Sequence, residues 1–416
     1  MKEGGILGFI MPSKFFIADY GVGLRRLLSE NKSVMQIVNF KDFQVFDGAT
    51  TYTCLLFLRK SRNKDFKYYE IYDKSKLQRS RILSSDVFKQ VVLEQPEGEK
   101  PWNFSADNSE QLVNKLRNNS LKLRDVAKDI YQGFLSGRDR FFFVHVLEEK
   151  GTEAKVKNAY DDEEHVIEKK ILKKLLKGKE IRRWQIDWNN AFVIYPYREH
   201  NNVTSLIPIQ EIKTDYPKTY QYFLFYKKQL MTSDTSEAVN EMNYYRFRRA
   251  RSQEQFEQRK ILTQVLSSRN SFTLDEKGEF YFVGGGNAGG FGIILKDQHA
   301  KDYNVILALL NSRLLEFCLK RTSTPFRGGF YSYGKKFIEN LPVIVPKGEN
   351  WDKLDKLSGK QIEQAKRLNE IADKRTDERT KIEEEIKEID SEIDELVYKI
   401  YGITENEKEI IEGSLK

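Results

Sequence analysis

Apolar positions in this chain come in short runs and in stripes, and each spacing predicts an element. Ile6-Leu7-Gly8-Phe9-Ile10 is a continuous apolar run that ends at Met11-Pro12-Ser13, the pattern of a strand covered on both faces. Asp19 is placed to cap a helix whose stripe is Leu24, Leu27 and Leu28. Val34 to Phe40 and Tyr52 to Leu58 read as two further strands, the second preceded by a turn at Phe46-Asp47-Gly48. Three strands and one helix do not close a doubly wound core, so this unit is expected to draw further sheet from its N-terminal side or from another chain. Residues 63–118 are polar and mixed, a connecting region whose clearest strand is Phe66 to Ile71.

From 119 to 350, β-rich strings alternate with basic stretches. Arg140 to Val144 and Ala191 to Tyr195 are strand-like, and Pro196 ends the second. Ile171, Leu172, Leu175 and Leu176 fit a helical stripe, and Val305 to Lys320 reads as one apolar helix central to a core. Residues 351–416 are helical. Ile382, Ile386, Ile389, Ile393, Leu396 and Ile400 alternate in steps of four and three, an a/d heptad seam. A continuous helix from about Gln361 to Tyr401 would be roughly 60 Å long. Such a rod pairs with another chain or folds back on the body. The pattern therefore divides the chain into 1–62, 63–118, 119–350 and 351–416.

Composition then narrows the class. The chain has 416 residues, 70 basic and 62 acidic, with 39% hydrophobic and 12% aromatic content, enough to build packed cores and too much for wholesale disorder. No apolar run approaches the ~18–20 residues that cross a bilayer, and Met1 to Ile10 lacks a signal-peptide cleavage site. Two cysteines, Cys54 and Cys318, sit in apolar strings, which points to buried thiols in a reducing cytoplasm. Four scattered histidines and no CxxC make a zinc site improbable. Charge is unevenly spread: 351–416 carries a net of −6 and the first 350 residues +14. A basic body with an acidic helical tail suits a polyanion partner for the body.

Three clusters sharpen that expectation. Glu168 to Arg183 holds eight basic residues and two acidic ones, followed by Trp184. Tyr244 to Lys260 interleaves Arg246, Arg248, Arg249 and Arg251 with Tyr244, Tyr245 and Phe247. Arg321 to Lys336 combines basic and aromatic residues around Gly328-Gly329 with no acid. Cations neutralise phosphates, arginine forks read guanine edges, and aromatic neighbours stack on bases. One such cluster is more often a solvated face; three together favour nucleic acid. Other chemistry finds little support. Gly284, Gly286 and Gly289 satisfy GxGxxG, but a strand-like string follows where a dinucleotide site needs a helix, so a hairpin or loop is expected. Glu168-Lys169-Lys170 fits a nuclease triplet that such a charged chain produces by chance. No GxSxG or Cys–His arrangement supports nucleophilic catalysis.

Read together, several strings resemble a known family. Gly4-Gly5-Ile6-Leu7-Gly8-Phe9-Ile10-Met11-Pro12-Ser13, then Leu24-Arg25, then Phe43-Gln44-Val45-Phe46-Asp47-Gly48-Ala49-Thr50 are similar to the last third of the catalytic domain of adenine-N6 DNA methyltransferases. The branch is Eco57I-like and TaqI-like and includes fused restriction–modification enzymes. Tyr131-Gln132-Gly133, Ser136-Gly137, Leu175 to Trp184, Ile194-Tyr195-Pro196, Leu307 to Ser312 and Phe337 to Pro342 resemble that family's C-terminal target-recognition domain. The resemblance implies an α/β architecture: a partial Rossmann-like methyltransferase sheet, an α/β target-recognition domain over 119–350 and a helical, coiled-coil tail. It implies double-stranded DNA as partner, with Arg138, Lys179, Arg182, Arg183, Arg327, Tyr331, Lys335 and Lys336 as contacts. Phe46 matches the aromatic residue that packs on the flipped adenine, since stacking offsets part of the cost of extruding a base.

The departure is as informative. The family's S-adenosylmethionine loop and its Asn-Pro-Pro-Tyr motif lie upstream of the equivalent of Gly4, and this chain has neither. No catalytic residue and no cofactor are therefore expected in this chain alone, with S-adenosylmethionine belonging to the complete enzyme. A separate N-terminal methyltransferase polypeptide is the implied partner, and the helical tail is a candidate for self-association. The competing reading is a non-enzymatic DNA specificity subunit of a type I-like complex, which also joins recognition domains to long helical spacers.

Overall fold

The computed structural model describes residues 2–41, 43, 45–46, 51–71, 88–99, 101–102, 104, 109–161, 163–200, 203–232, 239–326, 328–371 and 376–415. Its contacts divide the chain into two units, one of residues 1–120, 317–332 and 403–416, the other of 121–316 and 333–402.

The first unit is built on a five-stranded sheet of β1 (Ile6–Pro12), β2 (Val34–Asn39), β3 (Thr53–Arg59), β4 (Asp65–Ile71) and β5 (Phe88–Glu94), ordered β1-β3-β2-β4-β5. β3 runs antiparallel to both its neighbours, β2 and β4 are parallel, and β5 returns antiparallel to β4. The region expected to be a connector thus supplies two strands of the same sheet. α1 (Val22–Asn31) covers one face, where Phe15, Phe16, Leu28, Ile37, Leu56, Phe66 and Tyr68 form a core, and α2 (Ser109–Asn118) follows in the same unit. Val38, Phe40, Tyr69, Ile71 and Phe88 pack on a second.

β1 departs from its expected burial. It lies at the sheet edge, and Ile6, Phe9 and Ile10 are 56%, 49% and 51% exposed. A strand with apolar side chains on both faces and, among the described residues, only β3 beside it leaves those chains exposed. The helix also turns differently from its leucine stripe. Leu27 is exposed while Arg25 is buried. The Arg25 guanidinium donates to the carbonyls of Phe15 (2.6 Å), Ala18 (2.9 Å) and Glu99 (2.9 Å). The Phe15 and Ala18 carbonyls belong to the tight turns before α1 and that of Glu99 to the segment after β5, so one guanidinium ties the two together. Asp19 lies in one of those turns and makes no cap; Gly21 is the N-cap.

The second unit holds two larger sheets. One runs β9 (Glu164–Glu168), β8 (Glu153–Asn158), β7 (Phe143–Lys150), β11 (Ala191–Ile194), β10 (Leu172–Leu176), β14 (Phe280–Phe282), with only the last pair parallel. The other is antiparallel and runs β13 (Phe272–Asp275), β12 (Lys260–Gln264), β15 (Gly290–Leu295), β6 (Ala127–Gln132). The supposed helix at 171–176 is therefore a strand between two others. Leu175 and Leu176 are consecutive and both fully buried, as a strand packed on both faces requires. Lys260 and Asp275 pair at 2.5 Å in the interior, where burial lowers the lysine pKa. Asp275 also accepts the amides of Glu279 (3.1 Å) and Phe280 (3.0 Å), fixing the turn into β14.

The apolar helix expected at 305–320 breaks at Ser312, whose backbone is extended. α3 (Tyr303–Asn311) ends there because the Asn311 amide bridges to Phe272, accepting its N–H at 3.0 Å and donating to its carbonyl at 2.9 Å. The tail is not one rod. α4 (Glu349–Glu370) and α5 (Asp377–Tyr401) pack against each other, and α6 (Glu405–Leu415) belongs to the first unit. Ile382 and Ile393 of the heptad seam are buried, joined by Val397 and Tyr398. Gln361 of α4 donates to the Ile386 carbonyl and to Asp390, both at 3.1 Å. α4 is held to the body by Trp351 donating to Asp302 (2.8 Å) and Asn304 to Asp355 (3.1 Å). The fold is mixed α/β with C-terminal helices. Among the described residues no helix is long and apolar enough to cross a membrane.

Asp394 of α5 accepts the Arg313 amide at 2.8 Å. Burial pushes its carboxyl up to about 6, against the pull of Arg183 and Arg313. A folded-state pKa above the unfolded 3.8 favours folding at low pH, and that contribution is lost as pH rises through about 6. The variant Asp394→Asn keeps the acceptor without the charge. Urea denaturation at pH 4 and pH 7 is expected to show it gaining about 1–3 kcal/mol on the parent over that interval. Parallel pH profiles would contradict this.

Candidate nucleic-acid interface

Four segments distant in the sequence meet in the second unit through backbone hydrogen bonds. Phe134 donates to the Phe282 carbonyl (3.2 Å) and Gly284 to that of Phe134 (2.6 Å). Leu135 and Arg249 exchange N–H bonds at 2.9 Å, Arg248 donates to Ser136 (3.2 Å), and Gly178 donates to Ala288 (2.7 Å). The loops 133–137, 177–180, 247–251 and 283–290 therefore lie side by side.

Glycine makes that approach possible. A Cβ on Gly284 would stand 2.0 Å from the Gly133 carbonyl oxygen, and one on Gly133 would stand 2.1 Å from that of Phe282. Neither position admits a side chain. The glycine-rich tract is thus a loop that leads from β14 in one sheet to β15 in the other, in keeping with its failed dinucleotide pattern. Sequence reasoning set it aside for that reason and missed that its tip joins the basic segments. No local signal links it to Lys177-Gly178-Lys179, more than a hundred residues away; the contact is made by tertiary backbone pairing.

Lys177, Lys179, Arg248 and Gly286 to Ala288 are exposed on these loops. The one carboxylate within 177–180 is withdrawn: Glu180 is buried, accepts the Lys177 amide and lies 3.8 Å from Lys179. Arg182 is exposed and pairs with Asp187 at 2.9 Å. These side chains present positive charge beside backbone that a phosphate can approach closely.

Other expected contacts lie elsewhere. Arg138 is 4% exposed, and its guanidinium donates to the carbonyls of Leu230, Tyr244 (2.6 Å) and Arg246 (2.7 Å). It ties a loop to the interior and does not face solvent. Arg183 bonds the Asn311 carbonyl and Asp390 (2.7 Å), joining its segment to α3 and α5. Tyr244, Tyr245 and Phe247 are buried, so they do not stack on bases as the interleaved pattern suggested. They belong to an aromatic interior in which Phe134 stacks on Phe247 with centroids 5.1 Å apart. Lys335 and Lys336 are exposed at the start of a short helix, and Tyr331 lies in the first unit with Lys320 over its ring. Arg327 lies outside the described residues. Phe46 is exposed between β2 and β3, and its neighbours 47–50 lie outside the described residues.

Burial pushes the thiols of Cys54 and Cys318 up to about 12, which makes both inert. The described residues form no cluster able to hold a metal ion. Nor do they fit S-adenosylmethionine: the glycine-rich tract leads into β15, so no helix N-terminus stands behind it.

Comparison with known proteins agrees with this geometry. Residues 173–343 match the TaqI-like C-terminal specificity domain, and residues 1–46 match the Eco57I restriction-modification methylase. The type II restriction enzyme and methyltransferase RM.Eco57I of Escherichia coli is 28% identical over 366 residues, 82% of this chain and 35% of that protein. The type II methyltransferase M.BstVI of Geobacillus stearothermophilus is 20% identical over 443 residues, covering this whole chain and 67% of its own length. The chain thus spans about a third of RM.Eco57I. Among solved structures, the Type IIL restriction-modification enzyme MmeI in complex with DNA superposes with a TM-score of 0.57 at 12% identity, covering 96% of this chain and 47% of MmeI.

Removing Arg138 leaves three carbonyls without their donor. Arg138→Ala is expected to lower stability by about 3 kcal/mol in chemical denaturation, whereas an exposed phosphate contact would cost almost nothing. Taken together, residues 173–343 are similar to a TaqI-like C-terminal specificity domain and residues 1–46 to the Eco57I restriction-modification methylase family.

Proposed function

We propose that this chain reads DNA sequence as the C-terminal part of a site-specific adenine-N6 methyltransferase of a restriction–modification system, and transfers no methyl group alone. The observation that carries the reading is the convergence of the glycine-rich tip with Lys177, Lys179 and Arg248 inside the matched specificity domain. Cations there set register on phosphates, and the loop tips lie close enough to the backbone for a base edge to be read. Exposed Arg182, Lys335 and Lys336 extend the contact set, and Arg327 and Tyr331 remain candidate contacts.

The first unit supports the catalytic half of the reading. β3 inserted antiparallel between β1 and β2 supports reading this sheet as the closing part of a Rossmann-like methyltransferase sheet. The outer edge of β1, with its exposed apolar side chains, is where further strands would add. In that reading a separate N-terminal polypeptide supplies the S-adenosylmethionine loop and the Asn-Pro-Pro-Tyr motif, and Phe46 packs on the extruded adenine. α4 and α5 pack on each other within one unit, which favours this reading over a type I-like specificity subunit with an extended helical spacer. Work on DNA in a reducing cytoplasm agrees with two free, buried cysteines.

Fluorescence anisotropy with a duplex carrying the recognition site is expected to show salt-sensitive binding. The double variant Lys179→Ala, Arg248→Ala should weaken it and flatten the slope of log K against log salt by about 1.8. An unchanged slope would remove these residues from the interface. Incubated with labelled S-adenosylmethionine and that duplex, the purified chain should incorporate no methyl group. Incorporation should appear on adding a polypeptide that carries the missing motifs, and turnover by the chain alone would overturn the proposal.

A further inference from the structure

Within the first unit lies a cavity of about 670 Å³, all of whose lining residues belong to that unit. Its size falls in the ~300–1,000 Å³ range of small-molecule sites. Phe16, Tyr20, Tyr52, Trp102, Phe104 and Phe326 supply aromatic walls. Phe46 is not among its lining residues. Phe16, Trp102 and Phe104 pack together with centroids 5.6–6.5 Å apart, so that part of the wall is rigid. Tyr20 is different: at 68% exposure it stands at the mouth.

The floor is polar and ordered. Asn39 donates to the Tyr68 hydroxyl at 3.0 Å, which donates to Glu70 at 3.1 Å, and Lys41 pairs with the same carboxylate. Tyr68 and Glu70 are buried. Asn39 and Glu70 carry the amide and carboxylate groups that elsewhere recognise exocyclic amines and ring nitrogens of bases. Arg117, Lys320 and Arg321 bring three cations to the same lining, and the Arg321 charge is felt at the buried Tyr68 hydroxyl. Flat aromatic walls, a hydrogen-bonding floor and cations form one combination that matches one ligand: a planar base carried on a phosphate.

We propose that this cavity binds a single nucleotide, its base among the aromatic walls and its phosphate against Lys320 and Arg321. The inference rests on the reading of the chain as a DNA-binding protein only for the nucleotide's source. The chemistry is shared by a nucleotide displaced from a duplex and by a free one.

The probe is deoxyadenosine 5′-monophosphate, titrated into the full chain by isothermal calorimetry. Saturable one-to-one binding is expected. Tyr20→Ala and Lys320→Gln, both on partly or largely exposed side chains, should each weaken it at least fivefold with the thermal midpoint unchanged. Deoxyribose 5-phosphate without the base should bind at least tenfold more weakly than the nucleotide. No binding by the parent chain, or affinities in both variants within twofold of the parent, would overturn the proposal. A duplex with one extrahelical adenosine distinguishes the sources. Stoichiometric displacement of the mononucleotide assigns the site to DNA, and an unchanged titration assigns it to a free nucleotide. Duplex anisotropy on the same samples reports the interface of the second unit separately, so a failed cavity leaves the function reading standing and a failed duplex leaves the cavity standing.

Discussion

The contact between Gly133 and Gly284 is the constraint on which the candidate interface depends. At that point two backbones approach more closely than any side chain allows, and the strand leaving 284 is thereby set beside the loop leaving 133. Everything exposed at the interface hangs from this contact. Gly178 hydrogen-bonds to the same glycine-rich loop, which brings in Lys177 and Lys179, and Leu135 pairs with Arg249, which brings in Arg248. The basic residues are dispersed along the chain, and backbone pairing gathers them.

Charge in this protein divides into two uses that composition alone does not separate. Arg25, Arg138 and Arg183 are turned inward: Arg25 and Arg138 each donate to three main-chain carbonyls, and Arg183 to that of Asn311 and to Asp390. A guanidinium suits this work because its planar fork reaches several acceptors at once. The lysines at 177 and 179 stand outside on a tight turn whose carboxylate, Glu180, is folded under. The net positive charge of the body therefore overstates the interface in arginine and understates the part played by lysine and glycine.

Much of the framework was legible in the sequence. The strands at Val34, Tyr52, Phe66 and Ala191 appear within a residue or two of their expected places, because short β-branched and aromatic runs bounded by turns permit little else. The failures have physical causes. Leu175 and Leu176 fit a helical period, yet a strand buried on both faces also accepts adjacent leucines. The apolar run at 305–320 contains its own break, since Asn311 is recruited by the Phe272 backbone. Of the heptad seam Ile382 and Ile393 are buried, but α4 ends at Glu370 and α5 begins at Asp377, and the two helices pack on each other. For the candidate site, the basic residues were visible as clusters while their burial was not. Arg138 and Lys179 look alike in sequence and differ only in what the folded chain places around them.

The first unit gives the account its second support, a sheet whose outer strand is apolar and exposed, and the second unit gives the surface proposed to read DNA. Hydrogen–deuterium exchange of the full chain with and without a duplex bearing the recognition site tests this most directly. The account predicts protection on binding at 133–137, 177–180, 247–251 and 283–290, with β1 exchanging equally in both states. Tight, site-specific binding that leaves those four loops unprotected would contradict it.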